Sequence, residues 1–517
     1  MTTRRTAPVQ PLLRCLLWLG LCSALLLHSL PAGADTPVHT STHTKSQTTA
    51  HGESNTDGHT NDDEATLLRI WVSEVHYDRL VAIEYLTRTF ETLFPGITVE
   101  LTAVEENQFV PAFRRSLQNG TTPALVGTAS DLVVALGEMD ALDPEATSRA
   151  LNLIGRSRFY RGPLSLLERP QRGQYYGIPF HGWIQGIWYR TDWFERENLE
   201  PPTTWEAILK AAEVFTQPEK GIYGILVGTK RDHYAGQVFT HLAISNGARM
   251  FDNGRTVFNS PAMAETLDFY TRLAAFSPPG EQTWRGRDYY LQGRLAMMFY
   301  STFIMDDLAL PGMALDSLSS DNFPDLPGAP FDPHLVHNTG MVSLITARGN
   351  SSYGMVNALG LVRLKEQGQG PLRGAGDDSH VYRVYRAREE FLRFLYAPHV
   401  YTSWLHMAPG GMLPVFRDIA GQNAFMRDLT GVFRRYGRPK MHDIIQGLET
   451  IRNFGHENGE HQPAASVVYA RNVLPDMIAH SLSGNMTAEQ AVGWAHARIE
   501  EIVHELNAGK NSAPASQ

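Results

Sequence analysis

Apolar and polar positions along this chain follow two rhythms in alternation. Leu67–Val72 is a short run rich in large apolar residues and reads as a strand, whereas Leu80, Ile83, Leu86, Phe90, Leu93 and Phe94 recur at helical intervals. Pro95-Gly96 then turns the chain, and Ile97, Val99 and Leu101 alternate as a second strand. Strand, helix, turn and strand in that order predict an α/β fold. A helix over 107–119 and a short strand at Ala124–Val126 follow.

The chain is organised around Tyr176–Phe215, which reads as two short strands, a small helix, a proline turn and an amphipathic helix. Trp183, Gln185, Ile187 and Tyr189 alternate with Ile184, Gly186 and Trp188, the two-residue period of a strand. Pro201-Pro202 breaks the chain, and Thr204 with Glu206 supplies an N-cap and a first-turn acid for the next helix. Further on, a strand is expected over Gly221–Val227, a helix over Tyr234–Asn246, a turn at Asp252-Asn253-Gly254 and a helix over Ala262–Phe276. Two closing helices are expected within Val473–Leu506.

The 517 residues are enough for two or three domains, and 43% hydrophobic with 19% charged residues is ordinary for a globular protein. A net charge of −9 argues against nucleic acid as a partner, which needs a basic surface. Arg4, Arg5 and Arg14 precede the apolar run Cys15–Leu27, and Ala32-Gly33-Ala34 fits a small-x-small cleavage site. Residues 1–34 are therefore read as a signal peptide, the run being short for a membrane anchor. Cys15 and Cys22 both lie inside it, and Arg14 and Leu21 before them do not suit lipid modification. Cleavage after Ala34 would leave a mature chain without cysteine. Residues 35–66 are rich in Ser, Thr, His and acid and poor in large apolar groups, the composition of a disordered linker. Its His39, His43, His51 and His59 are loosely spaced, which fits a solvated linker better than a metal site.

Several ordered pieces together resemble the extracellular solute-binding proteins of ABC importers, family 1, the carbohydrate-binding family typified by maltose-binding protein. They are Tyr176–Phe180, the Tyr-bearing strand Ile187–Arg190, Asp192–Phe194, and Pro202 with Thr204–Glu206. Asn259-Ser260-Pro261 before a helix, a strand at Gln292–Met298 with a return strand at Gly340–Thr346, Pro409–Val415 and the joint Ser483–Ala491 extend the likeness over nearly all of Leu67–Asn507. Ala124, where the family has Asp, and the Gly-rich segment Gly368–Ser379 depart from the pattern. The resemblance implies an α/β, two-lobe periplasmic-binding-protein fold of type II character, with hinge crossovers and a ligand cleft between the lobes. The expected division is residues 67–177 plus 323–396 for the N-terminal lobe, 178–322 plus 397–507 for the C-terminal lobe, and a disordered tail at 508–517.

The function this implies is capture of a carbohydrate or related polyol in the periplasm and delivery to ABC permease subunits in the membrane. A monomer with no cofactor, no metal and no covalent chemistry is expected. A sugar needs aromatic platforms for its C–H faces and a few acids, amides or hydroxyls for its OH groups. By family position, Glu74, His76 and Tyr77 come from the first loop, and Thr128 and Ser130 from the second, where Asp131 also fits a helix cap. His181 and Trp183 come from the central stretch, and Tyr300, Ser301 and Phe303 follow the Ala-Met strand. Trp284, Asn338, Trp404 and Gly411 complete the candidates. Trp183 fits core packing as well as ligand stacking, and His181 fits a hydrogen-bonded cleft residue better than a catalyst. Trp71, Trp188 and Trp205 are read as core or capping residues. No Walker A loop, Gly-x-Ser-x-Gly or His-Glu-x-x-His occurs. The two other readings are a receptor for a membrane sensor kinase and a carbohydrate-active hydrolase, whose paired carboxylates sequence alone does not reveal.

Overall fold

The computed structural model describes residues 65–169, 173–319, 328–364, 379–457 and 461–512. The expected signal peptide, nearly all of the linker and most of Gly368–Ser379 lie outside these residues. Strands β1 (Thr66–Val72), β2 (Ile97–Ala103) and β3 (Leu125–Ala129) run parallel, with β1 between the other two. Parallel neighbours need crossovers, and the helices Tyr77–Leu93 and Glu106–Asn119 provide them. The first buries Ile83, Leu86 and Phe90, and the Phe90 ring meets Phe391 and Phe394 of the helix His380–Leu395.

The expected pair of short strands in the central stretch is one continuous strand, β4 (Ile178–Arg190). Gly182 and Gly186 do not break it. They let neighbouring backbones approach: a Cβ at Gly182 would lie 2.7 Å from the Met355 carbonyl oxygen, and one at Gly186 2.6 Å from that of Val342. The small helix Thr191–Arg196 and the amphipathic helix Trp205–Phe215 follow as expected, the latter capped by Thr204 Oγ1 accepting from the Ala207 amide. Next come β5 (Tyr223–Leu226), the helix His233–Ser245, and the hairpin β6 (Phe251–Asp252) and β7 (Arg255–Thr256). Asn253 and Gly254 turn that hairpin with φ of 49° and 73°. β8 (Leu295–Ser301) starts later than expected because Gly293, at φ 70°, still belongs to the turn that closes the preceding helix.

The return strand expected at Gly340–Thr346 is split into β9 (Thr339–Val342) and β10 (Ile345–Thr346), and β10 pairs with β11 (Asn350–Ser351). β12 (Tyr353–Leu361) has no counterpart in the sequence reading, yet it sits between β3 and β4. With β13 (Leu413–Pro414) these strands build one nine-stranded sheet, ordered β2-β1-β3-β12-β4-β8-β5, with β9 and β13 also on β4. β4 changes partners along its length. Ile178–Gln185 pairs with β12, and Gln185–Tyr189 pairs with β8, so Gln185 faces both Tyr353 and Ser301.

Trp188 is fully buried and donates from Nε1 to the Tyr300 carbonyl at 3.0 Å. Trp205 stacks on Phe269 at 4.1 Å, and Trp71 packs edge-on against Phe109 and Phe113. The last helix, Ala488–Ser512, runs into the stretch expected to be a tail. Adding turns to a formed helix is easy until a breaker intervenes, and the first proline beyond it is Pro514.

Candidate functional site

Antiparallel pairing of β4 with β12 sets His181 opposite Asn357, Trp183 opposite Met355, and Gln185 opposite Tyr353. Directly opposed residues share a sheet face, so these six side chains form one row. Asn357 Nδ2 and His181 Nε2 are 3.3 Å apart. The Trp183 and Tyr353 ring centres are 6.1 Å apart, and Gln185 Nε2 donates to the Gln237 carbonyl at 3.2 Å. Burial pushes the His181 imidazole down to about 4, only partly offset by the nearby Glu74 charge, so it is neutral at pH 7.

Above the Tyr353–Met355 end of this row lies a cavity of about 80 Å³. Ser130 and Asp131, at the start of the helix that follows β3, line one side of it. Thr240 and Met250 line another side, and Asn453, Phe454, His456, His461, Ser466 and Tyr469 cover it. The cavity thus draws on segments far apart in the chain that only the fold brings together.

Its polar groups are unevenly satisfied. Tyr469 OH accepts from Gln237 Nε2 at 3.1 Å, and Asn453 Nδ2 points at Met355 Sδ at 3.5 Å. Asp131 Oδ1, Asn453 Oδ1 and His461 Nδ1 are buried with no hydrogen-bond partner among the described residues. Buried polar atoms are nearly always paired, so these three, on residues that line the cavity, are exceptions. Burial pushes the Asp131 carboxyl up, with the Leu132 amide working against it. Burial also holds His456 at about 4 and His461 at about 2, and their rings lie 4.9 Å apart.

The loop after β1 is different. Glu74 Oε1 lies 2.6 Å from His76 Nδ1, and Arg79 Nη1 donates to Glu74 Oε2 at 3.0 Å. Burial raises the Glu74 carboxyl, but the His76 bond and the Arg79 charge outweigh it and hold it at about 2. The hydrogen bond from Glu74 raises His76 in turn, against the effect of burial. Tyr77 opens the following helix, 69% exposed. Thr128 is buried in β3, its Oγ1 without a partner among the described residues.

The remaining candidates fall into three places. Trp404 packs on Phe180 at 4.8 Å and on His181 at 6.4 Å, which joins it to the β4 row. Phe303 covers Gly411 so closely that a Cβ there would sit 2.1 Å from its ring. Trp284 and Tyr300 flank the Arg287 guanidinium, at 5.3 Å and 6.0 Å, and Arg287 pairs with buried Asp307 at 2.5 Å. Ser301 pairs with Gln185 at the changeover of β4. Asn338 is apart from the rest: its carbonyl accepts from the Thr191 amide beyond the far end of β4, roughly 30 Å along an extended strand from His181.

The structure therefore brings Ser130, His181, Trp183 and Trp404 to one face, with Glu74 near enough to bias His181. It adds Tyr353, Asn453, His456, His461 and Tyr469, which are not sequence candidates, and Asp131, which the sequence places as a helix cap. A period-two reading of Tyr353–Asn357 would have found the first strand position; the stretch 453–469 carries no local pattern that separates an inward tyrosine or histidine from an outward one. Among the described residues, no group of three or more His, Cys, Asp or Glu converges as a metal site, and no helix is long and apolar enough to cross a membrane.

A family model described as bacterial extracellular solute-binding protein matches residues 78–342. The putative ABC transporter periplasmic-binding protein YcjN of Escherichia coli K12 is 25% identical over 435 residues, 84% of this chain and 92% of its own. Among solved structures, the sugar-binding protein MalE of Xanthomonas citri superposes with a TM-score of 0.64 at 14% identity, covering 86% of this chain and all of that one (100%). An ABC transporter solute-binding protein of Agrobacterium radiobacter K84, in complex with ribitol, gives 0.60 at 15% identity, covering 85% and 99%.

Proposed function

Because this chain belongs to the bacterial extracellular solute-binding protein family, a family of binders rather than enzymes, we propose that it captures a carbohydrate or related polyol outside the cytoplasm and hands it to an ABC importer permease. The observation that carries the choice of solute is the cavity itself. It combines aromatic rings (Tyr353, Phe454 and Tyr469) with buried polar atoms that have no partner of their own, namely Asp131 Oδ1, Asn453 Oδ1 and His461 Nδ1. Rings suit the C–H faces of a sugar, and orphaned polar atoms suit its hydroxyls. Similarity to proteins whose structures hold ribitol, tagatose and maltose supports the same class.

In this reading Ser130, His181 and Trp183 contribute to the site together with the cavity residues. The two lobes are 67–177 plus 323–396 and 178–322 plus 397–507, and they close over the solute by bending where β4 changes partners. The protein works as a monomer in the periplasm after cleavage near Ala34, and its lobes present the loaded form to the permease. Closure then follows from the solute's preference for the closed state.

A thermal-shift screen against monosaccharides, oligosaccharides and polyols tests this, since a ligand of the folded state must raise the midpoint. A rise with one carbohydrate class that is lost in Trp183→Ala is the expected result. A flat response from protein stripped of co-purified solute would sink the carbohydrate assignment.

A further inference from the structure

We propose that the turn Arg427–Gly431, with the short helix Val432–Tyr436 after it, is a membrane-surface contact. Leu429 enters the apolar edge of an anionic phospholipid layer, and the arginines around it hold the lipid phosphates. The proposal goes beyond solute capture and does not depend on which solute is bound.

A leucine exposed by itself is ordinary. The setting of Leu429 is not. Its side chain is 100% exposed, yet the turn that carries it is pinned from below. Buried Asp428 accepts from Thr430 Oγ1 at 2.6 Å, from the Val432 amide at 2.9 Å and from the Phe433 amide at 3.1 Å. Gly431, at φ 77°, donates back to the Asp428 carbonyl at 3.1 Å. The fully buried rings of Phe425 and Phe433 stack 4.6 Å apart, and His406 Nε2 lies 2.8 Å from the Phe425 carbonyl oxygen. Leu429 is therefore a fixed tip, held away from the core that its neighbours complete.

Charge supplies the second observation. The whole chain carries a net −9, but from Arg427 to His442 the one acid is Asp428, and it is turned inward onto the backbone. Arg427, Arg434, Arg435 and Arg438 are all exposed, and none is in an ion pair among the described residues. A Cβ on Gly431 would lie 3.0 Å from Arg434 Nη2, so that guanidinium rests against the turn. Arg438 donates to the Gly421 carbonyl at 2.7 Å and to Asn423 Oδ1, neutral acceptors that leave its charge uncompensated. Asp418, the acid before the stretch, pairs with Arg158. An otherwise acidic protein thus concentrates cations around one apolar tip, which calls for an anionic partner.

Shape selects lipid over protein. A specific protein interface needs roughly 800 Å² a side around a packed apolar centre. A single protruding side chain offers no such face. A lipid layer takes up a protruding leucine without a shaped socket, and guanidinium forks match phosphate oxygens.

Sedimentation of the processed, secreted protein with vesicles tests the inference. One set holds equal parts of phosphatidylethanolamine and phosphatidylglycerol, and the other phosphatidylcholine alone. Binding to the anionic set should be tighter by roughly tenfold or more and should weaken as salt is added. Leu429→Ser should lower it about fivefold or more. Arg434→Gln with Arg435→Gln should bring the two vesicle sets to within about twofold of each other. All three positions are exposed, so the melting midpoint should stay in place, and any other lipid-binding segment is common to wild type and variants. An environment-sensitive dye on Leu429→Cys should shift to the blue on anionic vesicles only. No binding by the wild type, equal binding by wild type and variants, or a dye that does not shift overturns the inference. Binding only to vesicles that carry the ABC permease assigns the turn to a protein partner and overturns it as well. Solute capture is read separately by thermal shift and stands or falls on its own.

Discussion

Two acidic side chains, Asp131 in the cavity lining and Glu74 close enough for its charge to act on His181, have opposite fates. Glu74 is saturated: His76 and Arg79 take both its oxygens, and its carboxyl is held at about 2. Asp131 is hungry: Oδ1 is buried without a partner among the described residues, and burial pushes the group up. Both were visible as acids near a family loop, and position alone ranked Glu74 above Asp131. The contrast teaches that an acid inside a cleft is available to a ligand only when its neighbours leave it incomplete. A paired carboxylate orders its own loop; an unpaired one waits for a donor.

Acid should separate the two regions most widely. His181 and the cavity histidines His456 and His461 have depressed values in the fold, so the unfolded chain takes up protons first. Stability should therefore fall as pH drops below the ordinary histidine value of 6.5, down to about 4 for His181 and His456 and further for His461. Each contributes up to about 1.4 kcal/mol per pH unit in that window. The Glu74 loop holds out longer, since its contribution is full above the ordinary carboxylate value of 4.5 and is lost as pH falls toward about 2. Denaturant unfolding at pH 7.5, 6 and 5 checks this, and a His461→Gln variant should flatten the slope. A slope left unchanged by His461→Gln would show that His461 is not buried neutral.

Next in size is Glu74→Gln, which leaves Arg79 without its carboxylate and should cost about 1–3 kcal/mol of stability in the same assay. If it instead weakens solute binding while the midpoint holds, the division drawn here between the two acids is wrong. Asp131→Asn should do the reverse. Unliganded stability stays within about 1 kcal/mol or rises, because a buried unpaired charge is removed, while affinity for the solute falls at least tenfold. The smallest effect is expected from Gly411→Ala. The new Cβ would strike Phe303, but that ring is 39% exposed and free to swing away, so about 1 kcal/mol or less is expected by thermal melting.

Much of the fold was legible because local rules decided it. The Tyr77–Leu93 stripe, the Thr204 cap and the Asn253-Gly254 turn each follow from a few neighbouring residues. β12 was not legible: Gly354, Asn357 and Gly360 interrupt it, and most of its positions are buried, so the alternation of a half-exposed strand is missing. Gly182 and Gly186 misled in the other direction, reading as punctuation when they serve close backbone contact. Of the site, the loops bearing Ser130, His181 and Trp183 could be found by position. Asn453, His461 and Tyr469 could not, since what makes them matter is the company of Asp131 and Tyr353, which only tertiary folding supplies.

One strand carries a mechanical consequence. β4 is an axle roughly 40 Å long, shared by both flanks of the sheet, with its change of bearings at Gln185. Trp183 and Gln185, paired with Met355 and Tyr353 of the cavity lining, are also the residues about which the two flanks would turn in the proposed closure. In the closure proposed above, a molecule seated there would push at a short lever arm, and a displacement of a fraction of an ångström at the axle would be magnified into a much larger sweep at β2 and β5, the outermost strands of the sheet.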